Sequence, residues 1–371
     1  MRFIDWLSVT QMHPKGGLPV VGNEMVIKYD LESGNVIRES PSMKTLEGSY
    51  SSNLSIRCDG FRVTVDGNPS RWQRLDNLFG LQTFDECIQV YNSILLQFGL
   101  PPFTKCTHIG WLQGPEDKRS KRISDGAIIN RVDWTRNLSV GKGNAVPFLR
   151  ALATQSIGKG KRPFLYPNGH TVDWGKGSTL WYQKVYNKAE DLKISQKKRS
   201  KSSNADTDIA YLESLINYCE EQGIIRDERE FKRAFLQRKN LCFYGMTREK
   251  DFLMYLNGIE EMIERLEMST ADYETIAEQL LERKIVTTWR AANTTQSYAL
   301  AWLHGQPAHV SKSQYYVHRS RLLELGIDIS IPYDVTKSIP QLKRQRVINV
   351  STALPPSWYQ MPRTEGFRLA S

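Results

Sequence analysis

The chain has no apolar run approaching the ~20 residues that a membrane-spanning helix needs, and its first residues lack the pattern of a secretory leader. These absences predict a soluble protein of the cytoplasm with no membrane partner. Cysteine is scarce: five residues, at 58, 87, 106, 219 and 242, with no Cys-x-x-Cys pair and an odd total. That argues against a disulfide framework or a thiolate zinc site, and the cysteines read as reduced structural thiols. No Gly-x4-Gly-Lys-Ser/Thr segment occurs, so the chain carries no phosphate-loop motor of its own.

Positive charge is in excess. The chain has 50 Lys+Arg against 40 Asp+Glu, a net charge of +10, which favours a polyanionic partner held with salt-dependent affinity. Between Lys184 and Lys201 the basic residues include Lys188, Lys193, Lys197, Lys198 and Arg199, against only Glu190 and Asp191. With 371 residues and 40% hydrophobic content, the chain is long enough for two packed domains.

The most informative segment is Ser178-Thr-Leu-Trp-Tyr182-Gln-Lys184-Val-Tyr186-Asn-Lys188. Residues four apart share a face on a helix or a strand, so one element presents two phenols and an ammonium group together. A phenol titrating near pH 10 is a weak nucleophile unless a base, a cation or a metal-polarised phosphate assists it. Taken alone, the pair reads as tyrosines packed at a sheet edge. Two acidic strands change its weight: Ala127-Ile-Ile-Asn-Arg131-Val-Asp133 and Gly223-Ile-Ile-Arg226-Asp-Glu228 each carry a carboxylate in an apolar run. A carboxylate there is costly unless paired or metal-bound, and either strand alone reads as a salt bridge.

In sequence order, Arg131-Val-Asp133, then Thr179-Leu-x5-Tyr186-x-Lys188, then Ile225-Arg-x-Glu228 resemble the replication initiators of filamentous phages, the gene II/X type. Within that type they are most similar to the initiators of cholera-toxin-phage-like viruses, the RstA kind. The resemblance continues in Ile339-Pro-Gln-Leu-Lys-Arg344-Gln-Arg346 and Pro355-Pro-Ser-Trp358-Tyr359, spanning most of 120–365. It implies an α+β fold, an antiparallel-sheet Rep-type nickase domain followed by a mainly helical module, with a winged-helix-like arrangement left open. It also implies a rolling-circle initiator that nicks one strand of the double-stranded phage origin and stays on the 5′ phosphate through tyrosine. Such an initiator leaves a 3′ hydroxyl to the host DNA polymerase, borrows a host helicase, and later rejoins the displaced single-stranded DNA.

Carried onto this chain, the resemblance implies Tyr186 as nucleophile, Lys188 as its helper, and Asp133 and Glu228 as ligands of Mg²⁺ or Mn²⁺, hard cations that suit carboxylates. Many rolling-circle nucleases hold metal through a His-hydrophobic-His motif; none of the six histidines forms one, and His170 is a candidate third ligand. Tyr182 resembles the second tyrosine of icosahedral single-stranded phages, and reads either as a second nucleophile or as a packing or DNA-stacking residue. Arg131, Lys184, Lys197, Lys198, Arg199 and Arg226 are the candidate DNA contacts around the site. The alternative is a sequence-specific DNA-binding regulator that does not cut. No aromatic-basic signature of RNA modules supports an RNA-binding role.

Along the chain, Phe3 to Thr10 suits a strand, in which Asp5 is a further acidic candidate that reads more readily as structural. Ile56 to Gly67 suits an Asp-Gly hairpin, and Phe84 to Phe98 and 145–153 suit helices. The Gly-Lys-Gly-Lys stretch at 158–161 reads as a flexible turn with lysines available to phosphates. Residues 195–206, polar and basic, read as a mobile excursion before a helix over 207–222, inside a nuclease domain of 1–245. The 246–371 module reads as helices over 249–267, 272–283, 297–304 and 311–326, the last a candidate recognition helix with Arg319 and Arg321, then an extended tail. The Pro355–Tyr359 tail either docks a partner or packs back on its own domain.

Overall fold

Long alternating strands build one central sheet. The computed structural model describes residues 1–22, 24–41, 43–48, 52–112, 121–153, 155–157, 161–199, 206–268, 276–303, 312–333 and 348–364. The chain opens with β1 (Arg2–Met12), a hairpin of β2 (Met25–Tyr29) and β3 (Val36–Pro41), then β4 (Lys44–Gly48), β5 (Ser52–Cys58) and β6 (Arg62–Gly67). The expected Asp-Gly turn joins β5 to β6: the Asp59 carboxylate accepts from the N–H groups of Phe61 and Arg62, while Gly60 takes a φ of 94°. Helix α1 (Phe84–Gln97) starts on a capping box between Thr83 and Glu86 and buries Phe84, Ile88, Tyr91 and Leu95 at helical spacing.

A second hairpin, β7 (Ile109–Leu112) and β8 (Lys121–Ser124), precedes β9 (Ile128–Ser139), α2 (Ala145–Leu152), β10 (Pro163–Leu165), β11 (Thr171–Trp174) and β12 (Trp181–Asn187). Helices α3 (Lys188–Arg199) and α4 (Asp206–Gln222) lead into β13 (Ile224–Lys232), then α5 (Arg233–Lys239), α6 (Gly258–Met268), α7 (Ile276–Glu282), α8 (Trp289–Leu303), α9 (Lys312–Leu323) and β14 (Ser351–Thr352). The sheet order is β10-β11-β12-β13-β9-β1-β6-β5-β4, every neighbour antiparallel, with β14 added at the end of β9. This is the expected α+β architecture.

The middle strands fix the site. In the β12/β13/β9 register Tyr182 lies opposite Glu230, which lies opposite Asp133, and Lys184 lies opposite Glu228, which lies opposite Thr135. Directly paired residues of antiparallel strands share a face, so these polar groups form one surface. The opposite face carries Val172, Val185, Ile225 and Leu138 against α2 and α6. Gly223 makes the turn from α4 into β13 possible: its φ is 58°, and a Cβ there would stand 2.1 Å from the carbonyl oxygen of Gly141.

Several expectations change. The excursion expected from 195 is helical through Arg199, because Ala189 and Leu192 pack with Leu212, Leu215 and Ile216 of α4; residues 200–205 lie outside the described residues. Residues 158–160 also lie outside them. Beyond residue 245, Phe252 and Leu256 join the first core and Ile259 and Met262 the second. Helices α7, α8 and α9 make their own core, with Ile276, Leu280, Ala292, Ala299 and Leu322. No hairpin among the described residues of 276–333 supplies a wing. The tail packs back on the first domain: β14 pairs with β9, and the Tyr359 hydroxyl meets Asp76 at 2.7 Å and accepts from the N–H of Phe79 at 2.8 Å. No described helix is long and apolar enough to cross a membrane.

Candidate active site

Tyr186 stands near the C-terminal end of β12, buried, with its ring between two lysines: Lys184 Nζ lies 4.5 Å and Lys188 Nζ 5.8 Å from its centroid. Its hydroxyl donates to Glu228 Oε1 at 2.5 Å, while Lys184 Nζ meets the other oxygen of Glu228 at 2.8 Å. Burial raises the Tyr186 phenol well above its ordinary pKa, and the charge of Glu228 adds to that. Burial also works to raise Glu228, but Lys184 and Arg226 outweigh it and hold the carboxyl below its ordinary value. The pair is therefore a neutral phenol hydrogen-bonded to an ionised carboxylate.

These groups line a cavity of about 320 Å³ together with Asp133, Tyr182, Lys188 and Glu230, the size class of small-ligand sites. Lys188 reaches it in an unexpected way. The strand ends at Asn187, and Lys188 starts α3, 2% exposed, donating to Asp191 at 2.6 Å and to Asn77 at 3.1 Å. Asp133 accepts from Arg131 at 2.8 and 2.6 Å, and Arg131 also lies 3.4 Å from Glu230. Burial pushes the Asp133 carboxyl up to about 7; Arg131 opposes this, and Glu230 and Glu228 add to it.

Asp5 belongs to the cavity, where the sequence pattern alone suggests a structural role. A register irregularity in β1 between Ile4 and Trp6 accompanies its placement there, and its carboxylate accepts from Asn68 at 2.9 Å and Asn77 at 2.8 Å. Glu230 is absent from the sequence-based candidates although it follows Glu228 by two residues on the same strand face, a signal the alternation carries. Arg71, Asp76 and Asp191 also line the cavity, and no local motif marks them.

The other expected residues are placed differently. His170 sits before β11, its ring nitrogen 3.4 Å from the Asn187 side chain, and does not line the cavity. Tyr182 donates its hydroxyl to Asp173 at 2.8 Å, and Asp173 also accepts from Tyr166 at 2.9 Å. Arg226 is wholly buried, bonded to Asn137 and to the carbonyls of Asn77 and Leu78, so it braces a loop and is closed to DNA. Arg319 is buried too, bonded to Asp328 at 3.0 Å and Ser156 at 2.7 Å, which joins α9 to the segment after α2. Arg321 is half-buried with Nη1 3.4 Å from Thr295 Oγ1. Lys197, Lys198 and Arg199 lie in the last turn of α3. We expect Arg319→Ala to lower unfolding stability by about 3–5 kcal/mol, because Asp328 would stay buried without its cation. Denaturant titration measures that loss.

A divalent cation suits the donor set. Asp133, Glu228 and Glu230 are hard oxygen ligands, and the upward shift at Asp133, caused first by burial and then by the charges of Glu230 and Glu228, is one a bound cation would oppose. Among the described residues, no three acidic, histidine or cysteine groups already converge as a metal cage. A raised carboxyl pKa means the folded state holds a proton that the unfolded chain releases near 4. Stability should therefore fall as pH rises from about 4 through about 7, by up to about 4 kcal/mol at 1.36 kcal/mol per pKa unit. Asp133→Asn should flatten that slope and raise the melting temperature at pH 8, whereas added Mg²⁺ should stabilise only the wild type. An unchanged slope in the variant would refute this account.

The antiparallel sheet thus gathers a tyrosine, lysines and carboxylates in one cavity of an α+β domain. Two family profiles match, both describing the phage replication-associated protein of the gene II type: its N-terminal part over residues 4–252 and its C-terminal part over residues 280–365. The chain belongs to this family of gene II-type replication-associated proteins. It is 39% identical over 315 residues to the replication-associated protein of Escherichia phage If1, covering 83% of this chain and 98% of that protein. It is 24% identical to the protein of the same description from Enterobacteria phage I2-2, covering 96% of each. A solved rolling circle replication initiator from Geobacillus stearothermophilus is a loose likeness, with 15% identity, a TM-score of 0.26, and coverage of 63% of this chain and 76% of that one.

Proposed function

We propose that the protein initiates rolling-circle replication by nicking one strand of the double-stranded phage origin. The observation that carries this reading is the 2.5 Å hydrogen bond from Tyr186 to an ionised Glu228 inside a cavity that takes a phosphate-sized group. Tyr186 attacks the scissile phosphorus as Glu228 accepts the phenolic proton. The Tyr–O–P bond forms and the P–O3′ bond breaks, and the departing 3′ oxygen takes a proton from solvent. The 5′ end stays on Tyr186 and the 3′ hydroxyl serves a host polymerase. Because a phosphodiester replaces a phosphodiester, a later attack by a 3′ hydroxyl rejoins the displaced strand without ATP.

Asp133 and Glu230, with Glu228 beside them, are the residues that would hold Mg²⁺ or Mn²⁺. Bound there, the ion supplies Lewis-acid polarisation of the phosphate. Lys184 and Lys188 flank the ring on which negative charge develops, and Tyr182 shapes the cavity wall. The net charge of +10 suits the origin DNA and the displaced single strand, and a host helicase supplies unwinding. The test incubates supercoiled origin DNA with protein and Mg²⁺ and resolves the products on a denaturing gel. A nick whose 5′ end carries protein supports the reading. Origin binding without a nick would favour the non-cleaving regulator.

A further inference from the structure

The cavity that holds Tyr186 must admit a phosphate, yet it is lined by Asp5, Asp76, Asp133, Asp191, Glu228 and Glu230. Its cations are largely committed. Arg131 is paired to Asp133 and Glu230, Lys184 to Glu228, and Lys188 to Asp191. A diester approaching such a surface needs a positive group that is not already neutralised. Among the described residues, Arg71 is the cavity-lining cation that makes no ion pair, and its Nε is buried with no hydrogen-bond partner.

We propose that Arg71 is a catalytic residue that grips the scissile phosphate and stabilises the charge built on it as Tyr186 attacks. The inference rests on the tyrosine-nicking reading above. An arginine suits the task because its planar fork donates to two phosphate oxygens at once and keeps its charge at any working pH. Its mounting is rigid. Arg71 ends the short 3-10 helix Pro69–Arg71, its backbone N–H donates to Asn68 Oδ1 at 2.9 Å, and Asn68 in turn donates to Asp5 at 2.9 Å. Ser70 donates to the carbonyl of Ile4 at 2.9 Å, which ties the same turn to β1. The backbone of Arg71 is thus tied to the sheet that carries the carboxylates, which leaves its guanidinium uncommitted at the cavity wall for charge that develops there.

The test uses the full chain and single-turnover cleavage of an origin duplex whose nick position the wild type has first mapped. Two substrates are compared, one with the natural scissile diester and one with an uncharged methylphosphonate at that position. Arg71→Ala should cleave the diester about 100-fold or more slowly, the usual cost of losing one charge-stabilising donor, with origin affinity unchanged. On the methylphosphonate the variant should match the wild type, and added guanidinium should restore part of the diester rate. Arg71→Lys, which keeps the charge and loses the fork, should fall between the two, and replaces Arg71→Ala if the latter fails to fold. A wild-type rate on the diester, or an equal loss on both substrates, overturns the proposal. Absence of any wild-type adduct would instead sink the tyrosine reading on which it stands.

Discussion

Tyr186→Phe is expected to abolish the protein–DNA adduct and to slow origin nicking by about a thousandfold or more, as removal of an enzymatic nucleophile does, while leaving origin binding intact. The ring stays in its slot between Lys184 and Lys188, so only the hydroxyl that donates to Glu228 is lost. Tyr182→Phe provides the contrast. Its hydroxyl is spent on Asp173, a carboxylate only 1% exposed, and burial together with that carboxylate raises its phenol far from any nucleophilic state. That variant should keep the adduct and lose about 1–2 kcal/mol of stability, the cost of removing one partner from a buried hydrogen bond. An adduct that survives Tyr186→Phe and vanishes in Tyr182→Phe would reverse the assignment. Loss of half the adduct in each would support two alternating nucleophiles.

The sequence made this site partly legible because polar residues inside apolar strands are expensive and therefore stand out. Asp133, Tyr186 and Glu228 each interrupt a run that otherwise reads as buried strand, and β9, β12 and β13 become neighbours in the sheet. The alternation that marked Glu228 also marked Glu230. What sequence spacing cannot convey is the partner of a charge. Arg226 and Arg319 stood among the candidate DNA contacts, yet each is an interior brace, Arg226 bonded to the carbonyls of Asn77 and Leu78 and Arg319 to Asp328. Asp5 was read as a structural acid and Arg71 was not marked at all, for a different reason. Only the pairing of β1 with β9 brings the first residues of the chain beside Asp133, and that pairing joins positions more than a hundred residues apart. The helix from Lys188 was hidden by composition, since its charged surface resembles a loop while Ala189 and Leu192 are its members of the third core.

Glu228→Gln decides between two roles that one carboxylate could fill. As the proton acceptor for Tyr186, an ionised Glu228 should keep the wild-type rate flat with pH across the neutral range, because Lys184 and Arg226 hold its carboxyl below the ordinary value and the acid limb lies lower still. Glutamine preserves a hydrogen-bonding oxygen near Tyr186 but cannot take the proton, so the rate should drop by about 10²- to 10⁴-fold at neutral pH. The residual activity should then climb tenfold per pH unit, since attack now waits for the phenol to ionise on its own. With the Tyr186 phenol raised well above 10, that climb should show no plateau in the accessible range. If Glu228 serves chiefly as a metal ligand, the profile of the variant should instead stay flat and excess Mn²⁺ should recover the rate. Because the Tyr186 hydroxyl donates directly to Glu228 Oε1 while Lys184 Nζ holds Oε2, the geometry favours the first outcome.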